Sequence, residues 1–270
     1  MSTVLRGLIG VVHLQAMPGD PAYREGGFQA VERAALADAE ALARGGADAL
    51  IVENFGSAPF PKSTEGNRLP PHQVAFLALV VRECLRRTGL PVGVNCLRND
   101  TISALGIAAA TGASFVRINV HTGAYVTDQG LIEGEADRSL RYRLALGARI
   151  ELAADVLVKH AAPLAPLGPV EAVQDCFDRG LADGVVISGI ATGAPVDEAL
   201  LRQAREAAGS RPVLLGSGLT PERADTLAPL ATGAIVGTWL KVDGKVRAPV
   251  DEERVRRLAA AVKGRFLPPG

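Results

Sequence analysis

The chain predicts a (β/α)8 barrel on three observations: eight short apolar runs alternate with amphipathic helical stretches, no linker interrupts them, and 270 residues suits one such barrel. A doubly wound sheet would leave two open edges, and the G-x-G-x-x-G turn of dinucleotide-binding sheets is missing after the first run. One domain over 1–270 is expected, with long loops at about 54–71 and 120–137.

The runs lie at 8–13, 49–53, 92–96, 115–119, 155–159, 184–188, 213–216 and 234–237. Each is strand-length, rich in Val, Ile or Leu, and bounded by Gly, Pro or polar residues. In the stretch 26–46, Phe28, Val31, Ala35, Leu36, Ala39 and Leu42 recur at helical spacing, and Gly45-Gly46 suits the exit. Further helices are predicted over 71–87, 101–110, 138–152, 170–179, 196–207, 221–230 and 251–263. Thr220 and Pro221 read as N-cap and first residue of the seventh, and Pro195 with the acidic residues after it suits the start of the sixth. The two long loops leave strands at the face where barrel enzymes work, which marks them as functional or as cover for a partner subunit.

Lys plus Arg and Asp plus Glu both total 29, so net charge gives a polyanion no purchase, and no zinc-finger, RNP or KH pattern argues for nucleic acid. Cys84, Cys96 and Cys176 follow no metal-ligand spacing, which fits a reducing, cytoplasmic setting. The start MSTVLRGLIGVVHLQAMPGD lacks an export signal's apolar core, and no transmembrane segment is expected because no run approaches 18 apolar residues.

The runs finish in His13, Glu53, Asn95, Asn119, Lys159 and Ser188, a convergence of proton-transfer and hydrogen-bonding groups. With alternate residues inward, Arg117 and Asn119 share the interior side of the fourth strand. Glu53 and Lys159 are candidates for a general acid/base pair, or for a buried ion pair that merely satisfies the interior. Lys159 also reads as a Schiff-base or enolate-stabilising amine. His160 would face away unless its loop turns it inward. His13 and His121 are further proton-transfer candidates. No cofactor motif is present; a divalent metal would require Glu53, Asp100, Asp128 and the two histidines to converge. Asn95, Arg98, Asn99, Arg117, Asn119 and Ser188 suit a polyhydroxylated or anionic ligand, although Asp100 and Asn99 also fit as caps of the next helix.

Gly216, Ser217 and Gly218 follow the seventh run, and Gly237 and Thr238 the eighth. Glycines admit an anion to backbone N–H groups, and these two loops commonly build a phosphate site in barrels. The plain alternative is a pair of tight turns. Gly189 and Thr192 would extend the same corner.

The stretches VVHLQAMPGDP, ADALIVENFGSAPFP, VGVNCLRND, FVRINVHTGAYVTDQGLIEG, ADVLVKHAAPL, ADGVVISGIATG, PVLLGSGLT and GAIVGTWLKVDG resemble the BtpA family, which includes SgcQ-like proteins. They cover all eight predicted units. The resemblance implies a TIM-barrel fold and a link of one cyanobacterial member to photosystem I assembly, with sugar-processing or nucleosidase labels on other members. Three functions follow: an enzyme (isomerase, lyase or nucleosidase-like) for a small phosphorylated sugar or ribosyl compound, a non-catalytic assembly or stability factor, or a sensor of a phosphorylated metabolite. The assembly reading predicts an exposed apolar surface on PFPKSTEGNRLPP and a protein partner. A homo-oligomer is open.

Overall fold

The structure, a computed structural model, describes residues 4–64, 66–189 and 196–268. Thr192 and Pro195 lie outside the described residues. In chain order the elements are β1 (Gly7–His13), α1 (Gly27–Arg44), β2 (Ala49–Glu53), α2 (Pro71–Thr88), β3 (Val92–Asn95), α3 (Thr101–Thr111), β4 (Phe115–Ile118), β5 (Ala124–Thr127), β6 (Gly130–Glu133), α4 (Ala136–Leu146), β7 (Glu151–Val156), β8 (Ala161–Pro163), α5 (Pro169–Gln174), β9 (Gly184–Ile187), α6 (Glu198–Ala208), β10 (Val213–Leu215), α7 (Ala224–Leu227), β11 (Gly233–Val236) and α8 (Glu252–Val262). Strands β1, β2, β3, β4, β7, β9, β10 and β11 close a parallel (β/α)8 barrel, with β1 paired to both β2 and β11.

Period-two alternation divides each barrel strand between two cores. Inward positions Ile9, Val11, Ala49, Ile51, Phe115, Ala153, Val186, Leu214 and Ile235 fill the barrel, while Val12, Leu50, Val94, Leu152 and Leu215 pack outward under the helices. Phe115 plugs the interior opposite Gly93, where an added Cβ would lie 2.3 Å from the ring, so Gly93 is the space that the plug occupies. The helices carry ordinary punctuation: Pro71 opens α2, Gly89 at φ 68° closes it, and the Asp100 carboxylate caps α3 by accepting from Ser103 N at 3.1 Å. Among the described residues no helix is long and apolar enough to cross a membrane.

Three elements depart from the sequence expectation. The fifth barrel strand is Glu151–Val156 rather than 155–159, and α4 stops at Leu146 with Gly147 left-handed at φ 63°. Residues 150–158 form one apolar stretch apart from Glu151 and Asp155, which leaves its register open until the helix end is known. The seventh helix is broken into a 3-10 turn Pro221–Arg223, the single turn α7 and a second 3-10 turn Ala228–Leu230, which contains Pro229, a residue that cannot continue the donor ladder. Thr220 makes no side-chain cap there. Within the loop at 120–137, β5 and β6 form a hairpin that β8 joins on the other side of β5. Val120, Tyr125, Ile132 and Val158 make its own small core.

The loop at 54–71 is pinned on both flanks. Asp20 accepts from Met17 N at 2.6 Å, from Ser57 Oγ at 2.7 Å and from Gln73 Nε2, joining the β1 exit to α2. Arg68 reaches Asp100 at 3.0 Å and Glu135 at 3.0 Å, tying this loop to the starts of α3 and α4. Phe60 turns to the barrel mouth and Leu69 is buried, so among its described residues PFPKSTEGNRLPP does not present the exposed apolar surface expected of it.

Candidate active site

Sheet register builds the site. His13 pairs with Glu53 and Glu53 with Asn95, which sets three polar side chains in one tier above the apolar filling. Asn95 Nδ2 donates to a Glu53 carboxylate oxygen at 3.3 Å. On the next strands, Asp155 accepts from Arg117 Nε at 3.0 Å, Arg117 Nη2 at 3.2 Å and Asn119 Nδ2 at 2.8 Å. All three are buried, and a forked guanidinium–carboxylate pair with a third donor compensates a desolvated carboxylate. With their amide nitrogens committed, Asn95 and Asn119 have carbonyl oxygens that meet no partner among the described residues.

These groups line a cavity of about 370 Å³ at the C-terminal mouth. Its one side carries His13, Glu53, Asn95, Arg98, Arg117, Asn119, Lys159 and His160. The strands across the barrel contribute Gly216, Ser217, Gly218, Gly237 and Thr238, and Val11 and Ile235 reach it from the barrel filling. Phe55, Phe60 and Arg247 come from the loops. His160 enters because its backbone is left-handed, φ 58°, which turns the loop inward.

Burial brings the Lys159 amine down to about 8, and neighbouring Arg117 pushes the same way. Burial, with Lys241, Lys159 and Arg117 adding to it, takes His13 to about 3, so its ring is neutral, and its Nδ1 meets no partner among the described residues. The Lys159 carbonyl accepts from Arg98 Nη2 at 2.9 Å, and the Arg98 Nε is left without a partner among the described residues. The loop exits are braced by two amides. Asn54 accepts from Leu97 N at 2.7 Å and donates to Leu97 O at 3.2 Å, and Asn99 repeats the pattern on Val120 at 2.7 and 3.0 Å.

Not every expected residue reaches the cavity. His121 is buried elsewhere, with Nε2 2.7 Å from Gly180 O and burial lowering its basicity. Ser188 sits behind the wall, where a Cβ on Gly216 would fall 2.2 Å from its Oγ. Cys96 packs outward between barrel and helices, and burial raises its thiol well above the ordinary value. Asn99 and Asp100 serve the loop and the α3 cap. Asp128 is exposed at the hairpin tip, and among the described residues no three His, Cys, Asp or Glu side chains gather as metal ligands.

In the glycine corner, Gly218 is left-handed at φ 71°, and Ser217 Oγ accepts from Gly189 N at 2.9 Å. Gly237 leaves room for His13, whose Cε1 would lie 2.6 Å from an added Cβ. The helix expected at Pro221 is too short to add much dipole. Sequence reasoning missed Asp155 as a holder of Arg117 and Asn119. Its signal was present, since Asp155 shares a face with Ala153 once the strand begins at Glu151. Arg247 lies in an irregular loop and left no periodic signal.

Fold and cavity together define a (β/α)8 barrel with a charged, amide-rich pocket at the strand C-termini. The chain belongs to the BtpA family, whose description, BtpA family, matches residues 5–264. It is 45% identical over 255 residues to the photosystem I biogenesis protein BtpA of Synechocystis, covering 94% of this chain and 87% of that one. An uncharacterized protein of Thermococcus kodakarensis is also 45% identical, over 95% of both chains. Among solved structures, orotidine 5'-phosphate decarboxylase from Pyrococcus horikoshii aligns over 95% of this chain and 100% of its own with a TM-score of 0.57 at 14% identity. N-(5'-phosphoribosyl)anthranilate isomerase from Pyrococcus furiosus aligns over 95% and 98% with a TM-score of 0.55 at 13% identity. At such identities these likenesses speak to the fold alone.

Proposed function

We propose that the protein is an enzyme acting on a small phosphorylated sugar or ribosyl compound by acid/base chemistry in the barrel mouth. The observation that carries this reading is that one cavity joins Glu53, Lys159, Asn95, Arg117 and Asn119 to the glycine loops after β10 and β11. Glu53 and Lys159 exchange protons with the substrate. An amine brought to about 8 offers both protonation states near neutral pH, as proton transfer requires. The open carbonyl oxygens of Asn95 and Asn119 accept from substrate hydroxyls, and Arg98 donates. Backbone N–H groups at Ser217, Gly218, Gly237 and Thr238 receive the phosphate, while the Gly216 N–H already donates to Ile187 O at 2.7 Å and only its lack of a side chain serves the pocket.

The test is turnover. Once a stabilising phosphorylated compound is found, its conversion is followed by phosphorus NMR for the natural protein, Glu53→Gln and Lys159→Ala. Loss of a general acid or base lowers kcat by about 10²- to 10⁴-fold. Full turnover by Lys159→Ala contradicts the assignment.

A second reading, a non-catalytic assembly or stability factor, takes its support from the 45% identity to a photosystem I biogenesis protein. It predicts that both variants retain biological activity in a complementation assay.

A further inference from the structure

Two of the chain's five lysines are withdrawn from bulk solvent, and they are treated in opposite ways. Lys241 is buried and ion-paired with Asp38, whose second oxygen accepts from Val250 N at 2.7 Å. Lys159 opens on the cavity, and its amine has no hydrogen-bond or ion-pair partner among the described residues, although two carboxylates share its surroundings. Both are engaged: Asp155 holds Arg117 and Asn119, and Glu53 receives Asn95. The lysine backbone is fixed on either side. Val158 is anchored in the hairpin core, Arg98 binds the Lys159 carbonyl, and Leu157 and His160 both hold left-handed backbones at φ 49° and 58°. Such non-glycine conformations persist where surrounding packing enforces them, and they concentrate at functional sites.

We infer that Lys159 is a covalent nucleophile whose Nζ condenses with the carbonyl carbon of an open-chain aldose or ketose phosphate. The inference rests on the phosphorylated-substrate reading above and narrows it to carbonyl compounds, favouring isomerisation or C–C cleavage over N-glycosidic cleavage. In the step, the neutral amine adds to the carbonyl carbon and the C=O pair moves to oxygen, which takes up a proton as the nitrogen releases one. The resulting hydroxyl leaves as water after a second protonation, for which Glu53 is the acid in the cavity, as the nitrogen lone pair forms the C=N bond, and the remaining nitrogen proton returns to the Glu53 carboxylate. Amine and carbonyl give imine and water, with nothing oxidised or reduced.

The test uses the natural protein, sodium cyanoborohydride, and glyceraldehyde 3-phosphate or unphosphorylated glyceraldehyde, followed by peptide mapping of Lys62, Lys159, Lys241, Lys245 and Lys263. Reduction leaves a secondary amine heavier by the probe less one oxygen. At pH 7 the lowered basicity raises the neutral fraction by about 10²-fold over an ordinary lysine. The weaker base is about tenfold less nucleophilic if the slope known for thiols applies. Lys159 is therefore expected to label about tenfold more than Lys62, Lys245 and Lys263, with a rate that rises through about pH 8, while Lys241 stays unlabelled.

Even labelling across Lys62, Lys159, Lys245 and Lys263, or none at Lys159 while glyceraldehyde 3-phosphate still raises the melting temperature, overturns the covalent assignment and leaves the phosphate reading standing. Preferential labelling of Lys159 that gains nothing from the phosphate group upholds the covalent assignment and overturns the phosphate reading. Internal comparison among five lysines makes the outcome independent of whether any Lys159 variant folds.

Discussion

Arg117 and Asp155 meet through a two-bond fork, Nε to Oδ1 at 3.0 Å and Nη2 to Oδ2 at 3.2 Å, with both side chains buried at the floor of the cavity. Removing one partner strands a buried charge. Asp155→Ala is predicted to lose about 3–5 kcal/mol in urea denaturation, and the double variant Arg117→Met with Asp155→Leu to recover most of it. Equal losses in the single and double variants would show that the pair's charges are solvated.

His13 gives the fold a signature in pH. Its folded value is pushed to about 3 while the unfolded chain keeps about 6.5, so between these limits only the unfolded state binds the proton. The stability from a neutral His13 is complete above about pH 6.5 and falls as pH drops toward 3, by up to about 1.4 kcal/mol per pH unit. His13→Asn is expected to flatten this part of the stability curve. In NMR of the natural protein, the His13 ring should not titrate between pH 5 and 8.

Gly216 and Gly237 keep the pocket wall thin. An added Cβ would lie 2.2 Å from Ser188 Oγ at the first and 2.6 Å from His13 Cε1 at the second. Each Ala substitution is expected to cost about 1–3 kcal/mol through overpacking, measured by thermal unfolding. Ser188→Gly should recover part of the Gly216→Ala loss and none of the Gly237→Ala loss.

Arg68 ties the loop at 54–71 to both α3 and α4 through Asp100 and Glu135. Arg68→Met leaves the buried Asp100 carboxylate with the bonds from Ser103 N, Ser103 Oγ and Leu69 N but no cation. A loss of about 1.5–3 kcal/mol is expected, with faster proteolytic cutting in the loop and unchanged helical circular dichroism.

Barrel closure was legible because hydrophobic periodicity and Gly/Pro punctuation are local signals. The inward pairing of Arg117 with Asn119 followed from alternation alone. The fifth strand was misplaced because an apolar run carries no register, and the hairpin went unread because AYVT and GLIE are too short to stand out from a loop. Ser188 sits one residue beyond β9 and His121 three beyond β4, where the exits turn and alternation reveals nothing. Asp155 was read as the start of a strand when it is the inward residue near its end. Arg247 depends on how an irregular loop folds back, a relationship with no local code.

Phosphate binding in the glycine corner is tested by a thermal-shift screen of the natural protein and Gly218→Val against ribose 5-phosphate, glyceraldehyde 3-phosphate and inorganic phosphate. Ligand at 100 times Kd adds about 2.7 kcal/mol, which for a chain of this size raises Tm by about 5–10 °C. Such a shift is expected for at least one sugar phosphate, larger than for inorganic phosphate and lost in Gly218→Val. No shift with any of the three, or equal shifts in both proteins, would contradict a phosphate site in the glycine corner.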